Sequence, residues 1–272
     1  MAPARTLEHK DYHYTALQYS KLAAHYDDMS NGKWHQIARK QGEYIDHLLK
    51  DRGLETPCRI LNPTCGRGTQ LFGLVERGHE CIGIDLAEGQ IQRAQAHQDD
   101  FQKGAAVTFH HGDALNAQKF FDKEDFDVVL SFGNSLPLLG TKDYIDRFLG
   151  TAFKLLKKDG LIVITGFDYT GHRRNQPSLI QHAPVKGEKE GAWIETAYWL
   201  PEHKDTGRYI SFLTFIYTRP EYHVLNYDFA PLYALTTKEL EDCLADAGFK
   251  AITIKQRDDI QMPGFYIATA NK

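Results

Sequence analysis

Two glycines one residue apart, Gly66 and Gly68, follow the short apolar run Cys58–Leu61 and precede an amphipathic stretch. Glycine lets the backbone approach a ligand closely, and a helix that starts there offers free N–H groups. Roughly twenty residues further on, Asp85 closes a second apolar run, at the distance where an acidic side chain accepts hydrogen bonds from both hydroxyls of a ribose. A third run ends in His111-Gly112-Asp113-Ala114-Leu115, where Asp113 and the Ala114 backbone can read the amino group of an adenine. Asp at that place serves equally well as a helix N-cap. A fourth run ends in Ser131-Phe132-Gly133-Asn134 beside the same cleft, where Asn134 also has a structural use in pairing buried loop backbone. Together these stretches select a ligand that contains a nucleoside.

A dinucleotide site asks for a third glycine three residues after the second, to let helix and strand pack closely, and that position is Leu71. A nicotinamide dehydrogenase is therefore disfavoured, and S-adenosylmethionine is left as the nucleoside ligand.

These residues need elements to hold them. Ile37, Tyr44, Ile45, Leu48 and Leu49 recur at helical spacing and predict a helix over Gln36–Lys50, behind an aromatic and polar segment, Tyr19–His35, that can fold over a site. Helix and strand signals then alternate: a helix over Thr69–Arg77, a strand over Glu80–Asp85, a helix from Ala87 to about Phe101 and strands over Ala106–Asp113 and Asp125–Phe132. A helix over Lys142–Leu156 and a strand over Gly160–Phe167 continue the series. Strands joined by helices pair in parallel through right-handed crossovers, so the expected fold is α/β: a Rossmann-like, seven-stranded, mostly parallel sheet with helices on both faces.

The rhythm then changes, because Ala192–Pro201, Arg208–Thr218 and Tyr222–Phe229 read as strands with no helix between them. They predict an antiparallel β insertion, a lid over 170–232 between strand 5 and the last helix. That helix, Thr236–Phe249, is capped by Thr236 or Thr237 and closed by Gly248, and strands at Lys250–Asp258 and Gly264–Asn271 add an antiparallel edge. The expected organisation is one domain over 1–272, with 1–50 as a helical cap.

At 272 residues and a net charge of -4, the chain can bury a substantial core and carries no basic footprint for nucleic acid. The four cysteines show no CxxC spacing, the N-terminus lacks the apolar core of a secretory signal, and no window is long enough to span a membrane. We expect a cytoplasmic protein with a small-molecule partner and no nucleic-acid or membrane partner. His111 and Asp113 share a strand face but have no third ligand nearby, so no metal is expected.

The motifs Ile60–Gln70, Ile82–Gln95, His111–Leu115, Phe126–Leu139, Leu156–Phe167 and Leu244–Phe249, in this order, resemble those of the class I S-adenosylmethionine-dependent methyltransferases. The resemblance implies that Gly66 and Gly68 pass under the methionine moiety, Asp85 holds the ribose, Asp113 and Ala114 hold adenine, and Ser131 and Phe132 border the sulfonium. Trp34, Asn62, Thr64, Leu86 and Gln90 complete the implied cofactor contacts. Asn62 departs from the pattern, because it stands where the family carries an acid.

Within that class the chain looks most like the glycine and sarcosine N-methyltransferases, through its aromatic N-terminal segment with Tyr26 and Trp34, through Gly133–Leu139 and through the antiparallel insertion. That likeness implies catalytic roles for Tyr26, reaching over the cofactor, and for Asn134, touching the substrate. It also implies an arginine for a substrate carboxylate just after strand 5, where this chain has Phe167, with Arg173 and Arg174 nearby but out of register. Phenylalanine cannot replace a bidentate guanidinium. The insertion instead supplies aromatics, Tyr227 among them, which suit an amine, a cation or a ring and equally suit a core or a contact between copies of the chain. Homo-oligomerisation is therefore left open. We expect methylation of a small molecule at an amine nitrogen. The alternatives are O-, S- or C-methylation, with His25, His110, His111, His172 or His223 as base, and a chain that binds S-adenosylmethionine without turnover.

Overall fold

The computed structural model describes residues 5–98, 101, 107–174, 178–186, 189–199, 207–229, 231–256 and 265–272, with the backbone alone at 5–10, 172–174 and 178–182. Short runs become the strands β1 (Arg59–Asn62), β2 (Glu80–Asp85), β3 (Val107–His111), β4 (Phe126–Ser131) and β5 (Leu156–Phe167), of which β3 lies at the sheet edge with only Val107 buried and the others are inner and largely buried. β1 pairs in parallel with β2 and β4, β2 with β3, and β4 with β5.

Between and around them run α1 (Arg5–Leu22), α2 (Trp34–Asp51), α3 (Thr69–Val75), α4 (Glu88–His97), α5 (Lys142–Leu155) and α6 (Thr237–Asp246). Sequence dictates their starts. Thr141 caps α5 by accepting the Tyr144 N–H at 3.2 Å, and Thr236 with Glu239 forms a reciprocal capping box on α6.

After α6 the chain completes the first sheet with two further strands. These are Lys250–Gln256 and Phe265–Asn271, the latter lying antiparallel against β5. From edge to edge the strand order puts this pair first, followed by β5, β4, β1, β2 and β3, seven strands in all. Two separate clusters of buried apolar side chains, one around Phe148 and Leu240 and the other around Leu49 and Phe72, cover its two faces. α2 and α3 cross so closely that a Cβ on Gly73 would lie 2.0 Å from the Ala38 carbonyl oxygen. This crossing anchors the far end of the glycine loop.

The chain between β5 and α6 forms a second, antiparallel sheet of five strands, β6 (Ser178–Val185), β7 (Glu190–Trp199), β8 (Arg208–Arg219), β9 (His223–Asp228) and β10 (Leu232–Tyr233). Three strands are expected there from the sequence. β6 shows no alternating signal because its apolar pair Leu179-Ile180 and polar pair Gln181-His182 break the period of two, and β10 is two residues long. Odd-numbered residues of β7 and β8 point inward and are mostly buried, while Tyr198 and Phe212 face outward and are exposed.

The N-terminal segment holds a full helix, α1, that sequence reasoning does not separate from the loop behind it. Its apolar residues follow no clear stripe because α1 is gripped on several sides. Gly89 of α4 donates to Ser20, Gln90 donates to the Tyr19 carbonyl, Tyr14 donates to Asp228 of β9 at 2.8 Å, and Arg208 of β8 donates to Asp11 at 3.0 Å. α1 therefore ties the two sheets together. No helix among the described residues is long and apolar enough to cross a membrane.

Candidate active site

The C-terminal ends of β1, β2 and β4, roofed by α1, enclose a cavity of about 280 Å³. Its floor is the loop after β1. Gly66 and Gly68 both take left-handed backbone conformations (φ +52° and +79°), which a side chain would strain. At Gly66 the space where a Cβ would stand is open toward the cavity, with the Gln90 side chain 3.8 Å away. Gly68 lies behind the loop, where a Cβ would meet the Phe109 ring at 2.7 Å.

Asp85 pins this floor. One carboxylate oxygen accepts the Gly66 N–H at 2.7 Å and the other accepts the Ala87 N–H at 2.8 Å. Desolvation pushes its pKa up, and these two N–H groups counter that shift. A carboxylate has about four acceptor positions, so Asp85 keeps capacity for ligand hydroxyls where it faces the cavity. The Gln90 amide donates to the Tyr19 carbonyl while its own carbonyl oxygen is buried without a partner among the described residues. Thr64, Leu86 and Ala114 complete this end of the cavity.

Other expected contacts stand behind the lining. Asn62 is fully buried: its carbonyl oxygen accepts the Thr64 N–H at 3.1 Å, and its amide nitrogen has no partner among the described residues. Ser131 is buried with its hydroxyl 3.3 Å from that of Thr64. Asp113 caps the short helix Ala114–Lys119 by accepting the Leu115 N–H at 2.9 Å, and it also accepts from Tyr12 at 3.1 Å. Of its two readings from sequence, the cap is the one its hydrogen bonds describe.

Tyr26 and Phe132 line the cavity together with Tyr19, Gly133 and Leu138. Burial drives the Tyr19 and Tyr26 phenols upward in pKa, so both are hydroxyl donors rather than bases at neutral pH. Arg67 stacks its guanidinium 4.9 Å from the Tyr26 ring centroid and pairs with Asp27, which also pairs with Arg93. Burial disfavours the Asp27 charge, yet the His97 ring 3.8 Å away, the hydrogen bonds from Arg93 and the charge of Arg67 outweigh it and hold its carboxyl well below the usual range. The Arg67 Nε has no partner among the described residues, and Arg67 faces the cavity.

Four expectations need correction. Trp34 is buried in the core, stacked on His97 at 3.8 Å and donating to Thr69, so it backs Arg67 rather than the ligand. Asn134 is committed to structure: its carbonyl accepts the Phe167 N–H and its amide donates to Tyr169, both at 3.0 Å, which ties the ends of β4 and β5 together. Phe167 is buried against Tyr169 and Phe265, and Tyr227 against Phe215, so both are core side chains. Arg173 and Arg174 fall in the short helix Tyr169–Arg174, and their side chains lie outside the described residues, as does that of His172. None of His25, His110, His111 and His223 lines the cavity; His111, for one, sits 3.1 Å from the Leu86 carbonyl.

Sequence reasoning misses the roof residues Tyr12, Thr15, Ala16 and Tyr19, because α1 gives no periodic signal. It also misses Glu195, an acid at an inward position of β7 whose orientation only the strand register reveals.

A methyltransferase-domain family model matches residues 60–160, the stretch that builds this floor. Over 96% of its length the chain is 24% identical to a glycine/sarcosine N-methyltransferase of Aphanothece halophytica, spanning 91% of that protein. It is 23% identical to a glycine/sarcosine/dimethylglycine N-methyltransferase of Actinopolyspora halophila, of which it spans 41%. The chain is an S-adenosylmethionine-dependent methyltransferase that carries this domain. In fold, this methyltransferase resembles the S-adenosylmethionine-bound amino pentose methyltransferase of calicheamicin biosynthesis from Micromonospora echinaspora (TM-score 0.67, 18% identity, 87% of this chain and 91% of that one). The cavity suits the cofactor of that class, with unfilled acceptors at Asp85 and Gln90 for ribose hydroxyls and an unpartnered Arg67 N–H for a carboxylate.

Proposed function

We propose that this methyltransferase acts on a nitrogen of a small amine. The observation that carries this reading is the make-up of the cavity lining. Among the described residues it holds no histidine and no lysine, its one carboxylate is Asp85 at the cofactor end, and burial pushes the thiol of Cys65 well above its ordinary pKa. A neutral amine attacks through its own lone pair and needs no base, whereas a phenol or thiol must lose a proton first. The named activities of the relatives support the same acceptor atom. In the fold neighbour the acceptor is an amino sugar.

When bound, the cofactor supplies an electrophilic methyl group on a cationic sulfur. In this reading Asp85 and Gln90 hold the ribose, Ala114 and Leu86 flank the adenine, Arg67 takes the methionine carboxylate, and Phe132 and Tyr26 border the methyl. Rigid placement of donor and acceptor supplies most of the acceleration. Asn134 positions the wall of the acceptor end through Phe167 and Tyr169 without touching the acceptor. We read the chain as one catalytic domain over 1–272, with 1–50 as a cap and 170–232 as a lid.

Release of S-adenosylhomocysteine by the purified protein, measured against glycine, sarcosine, carboxylate-free amines, phenols and thiols, tests the proposal. Turnover with amines is expected. Turnover confined to phenols or thiols overturns it.

A further inference from the structure

Glu195 stands on the inward face of β7 with Trp193, Ala197 and Trp199, and the strand register sets it opposite Leu213 of β8. Its neighbours on that face are buried hydrophobic and aromatic side chains, including Tyr209, Phe215 and Tyr217. One carboxylate oxygen accepts the Ser211 hydroxyl at 2.9 Å. That hydroxyl is its one hydrogen-bond partner among the described residues, and no cation pairs with it there.

An anion on such a face is costly unless something positive meets it. Glu195 stands outside the cavity lining, and it is not sealed: it keeps intermediate exposure where Trp193, Ala197 and Leu213 are buried. The cluster around Trp193 also holds Tyr169 and Tyr209, and Tyr19 and Tyr26, which line the cavity, pack against it. Two residues away on the same face, the Trp193 indole N–H is buried with no partner among the described residues. A carboxylate ringed by aromatics is the chemistry that recognises an alkylammonium group.

We propose that Glu195 is the acceptor-binding carboxylate of this enzyme, and that it selects amines that carry no carboxylate of their own. The proposal rests on the amine reading above and narrows it. In the reaction the bound ammonium first releases a proton to water, the freed nitrogen lone pair then forms the N–C bond as the C–S bond breaks, sulfur keeps the bonding pair, and a unit of positive charge moves from sulfur to nitrogen. A carboxylate on the nitrogen side stabilises that charge as it develops. The same carboxylate repels the carboxylate of glycine or sarcosine, for which Phe167 offers no guanidinium.

The test is calorimetric and independent of turnover. The full chain, saturated with S-adenosylhomocysteine, is titrated at neutral pH with benzylamine, which is then a cation, and with its neutral counterpart benzyl alcohol. We expect benzylamine to bind roughly tenfold or more tightly than the alcohol, the scale of one hydrogen bond to a charged group. The preference should vanish in Glu195→Gln while S-adenosylhomocysteine still binds. Equal binding of the two probes, or binding of neither by a chain that binds S-adenosylhomocysteine, overturns the assignment. So does a preference that survives in Glu195→Gln. If that variant does not fold, the ratio of the two probes on the unaltered chain decides alone. Amine turnover without a Glu195-dependent preference would remove this assignment and leave the amine reading standing. A confirmed cation site with turnover confined to phenols would do the reverse.

Discussion

Asp85 and Glu195 are both carboxylates that burial pushes upward in pKa, and they are held in opposite ways. Asp85 sits at the end of a parallel strand and receives two backbone N–H groups from the loop and helix start beside it. Glu195 sits in the middle of an antiparallel strand, where the backbone N–H groups are spent on the ladder, and receives one hydroxyl. The first is organised by main chain before any ligand arrives, and the second has its remaining acceptor capacity free. The parallel sheet therefore holds its buried carboxylate through backbone geometry, and the antiparallel sheet holds its own through a side chain.

The contrast can be broken most sharply at Asp85. Asp85→Ala removes the anchor of Gly66 together with the proposed ribose contacts, each worth about 1.5–3 kcal/mol, so calorimetry should show S-adenosylhomocysteine binding at least ~100-fold weaker. Glu195→Gln should leave that affinity within about twofold, because it touches the other half. A comparable loss in both variants would mean that the two carboxylates form one network.

Gly73→Ala probes whether the parallel half depends on close helix packing. The added methyl meets the Ala38 carbonyl, and overpacking of this kind costs about 1–3 kcal/mol. In a chain of this size that lowers the melting temperature by roughly 2–4 °C per kcal/mol. An unchanged melting temperature would show that the α2–α3 crossing relaxes freely.

Asp27 gives a pH test of the wall between the halves. Its folded pKa is depressed, so its contribution to stability is present above its unfolded value of about 3.9 and is lost as pH falls through the folded value. Asp27→Asn should melt lower than the unaltered chain near pH 7, and the gap between the two curves should hold down to about pH 4 and narrow only below it, as pH falls toward the depressed folded value. The smallest effect is expected from Tyr14→Phe, which removes an exposed hydrogen bond between α1 and β9 and should cost under about 1 kcal/mol in urea unfolding.

The same contrast explains what was legible in the sequence. The strand order, the glycine loop and Asp85 follow from apolar runs, helix caps and a fixed spacing, all of them local signals. Asp113 is ambiguous from sequence because capping and ligand reading use the same residue type at the same place, and only its partners separate them. Trp34, Phe167 and Tyr227 are misplaced from sequence because an aromatic side chain suits a pocket and a core equally. Asn134 shows the same limit, since its residue type is right for a ligand while its hydrogen bonds are already taken by Phe167 and Tyr169. Glu195 is invisible in sequence because its importance lies in facing inward, which depends on the register of β7 on β8. α1 escapes notice because a helix held on several sides has no single apolar stripe.

That first helix has a kinetic consequence. Tyr12, Thr15, Ala16 and Tyr19 roof the cavity, while Asp11 and Tyr14 on the same rod hold β8 and β9. Lifting the rod to let the spent nucleoside out also releases its hold on the sheet that carries Glu195. In the proposed reading both ligands share one door, so neither can depart faster than α1 opens.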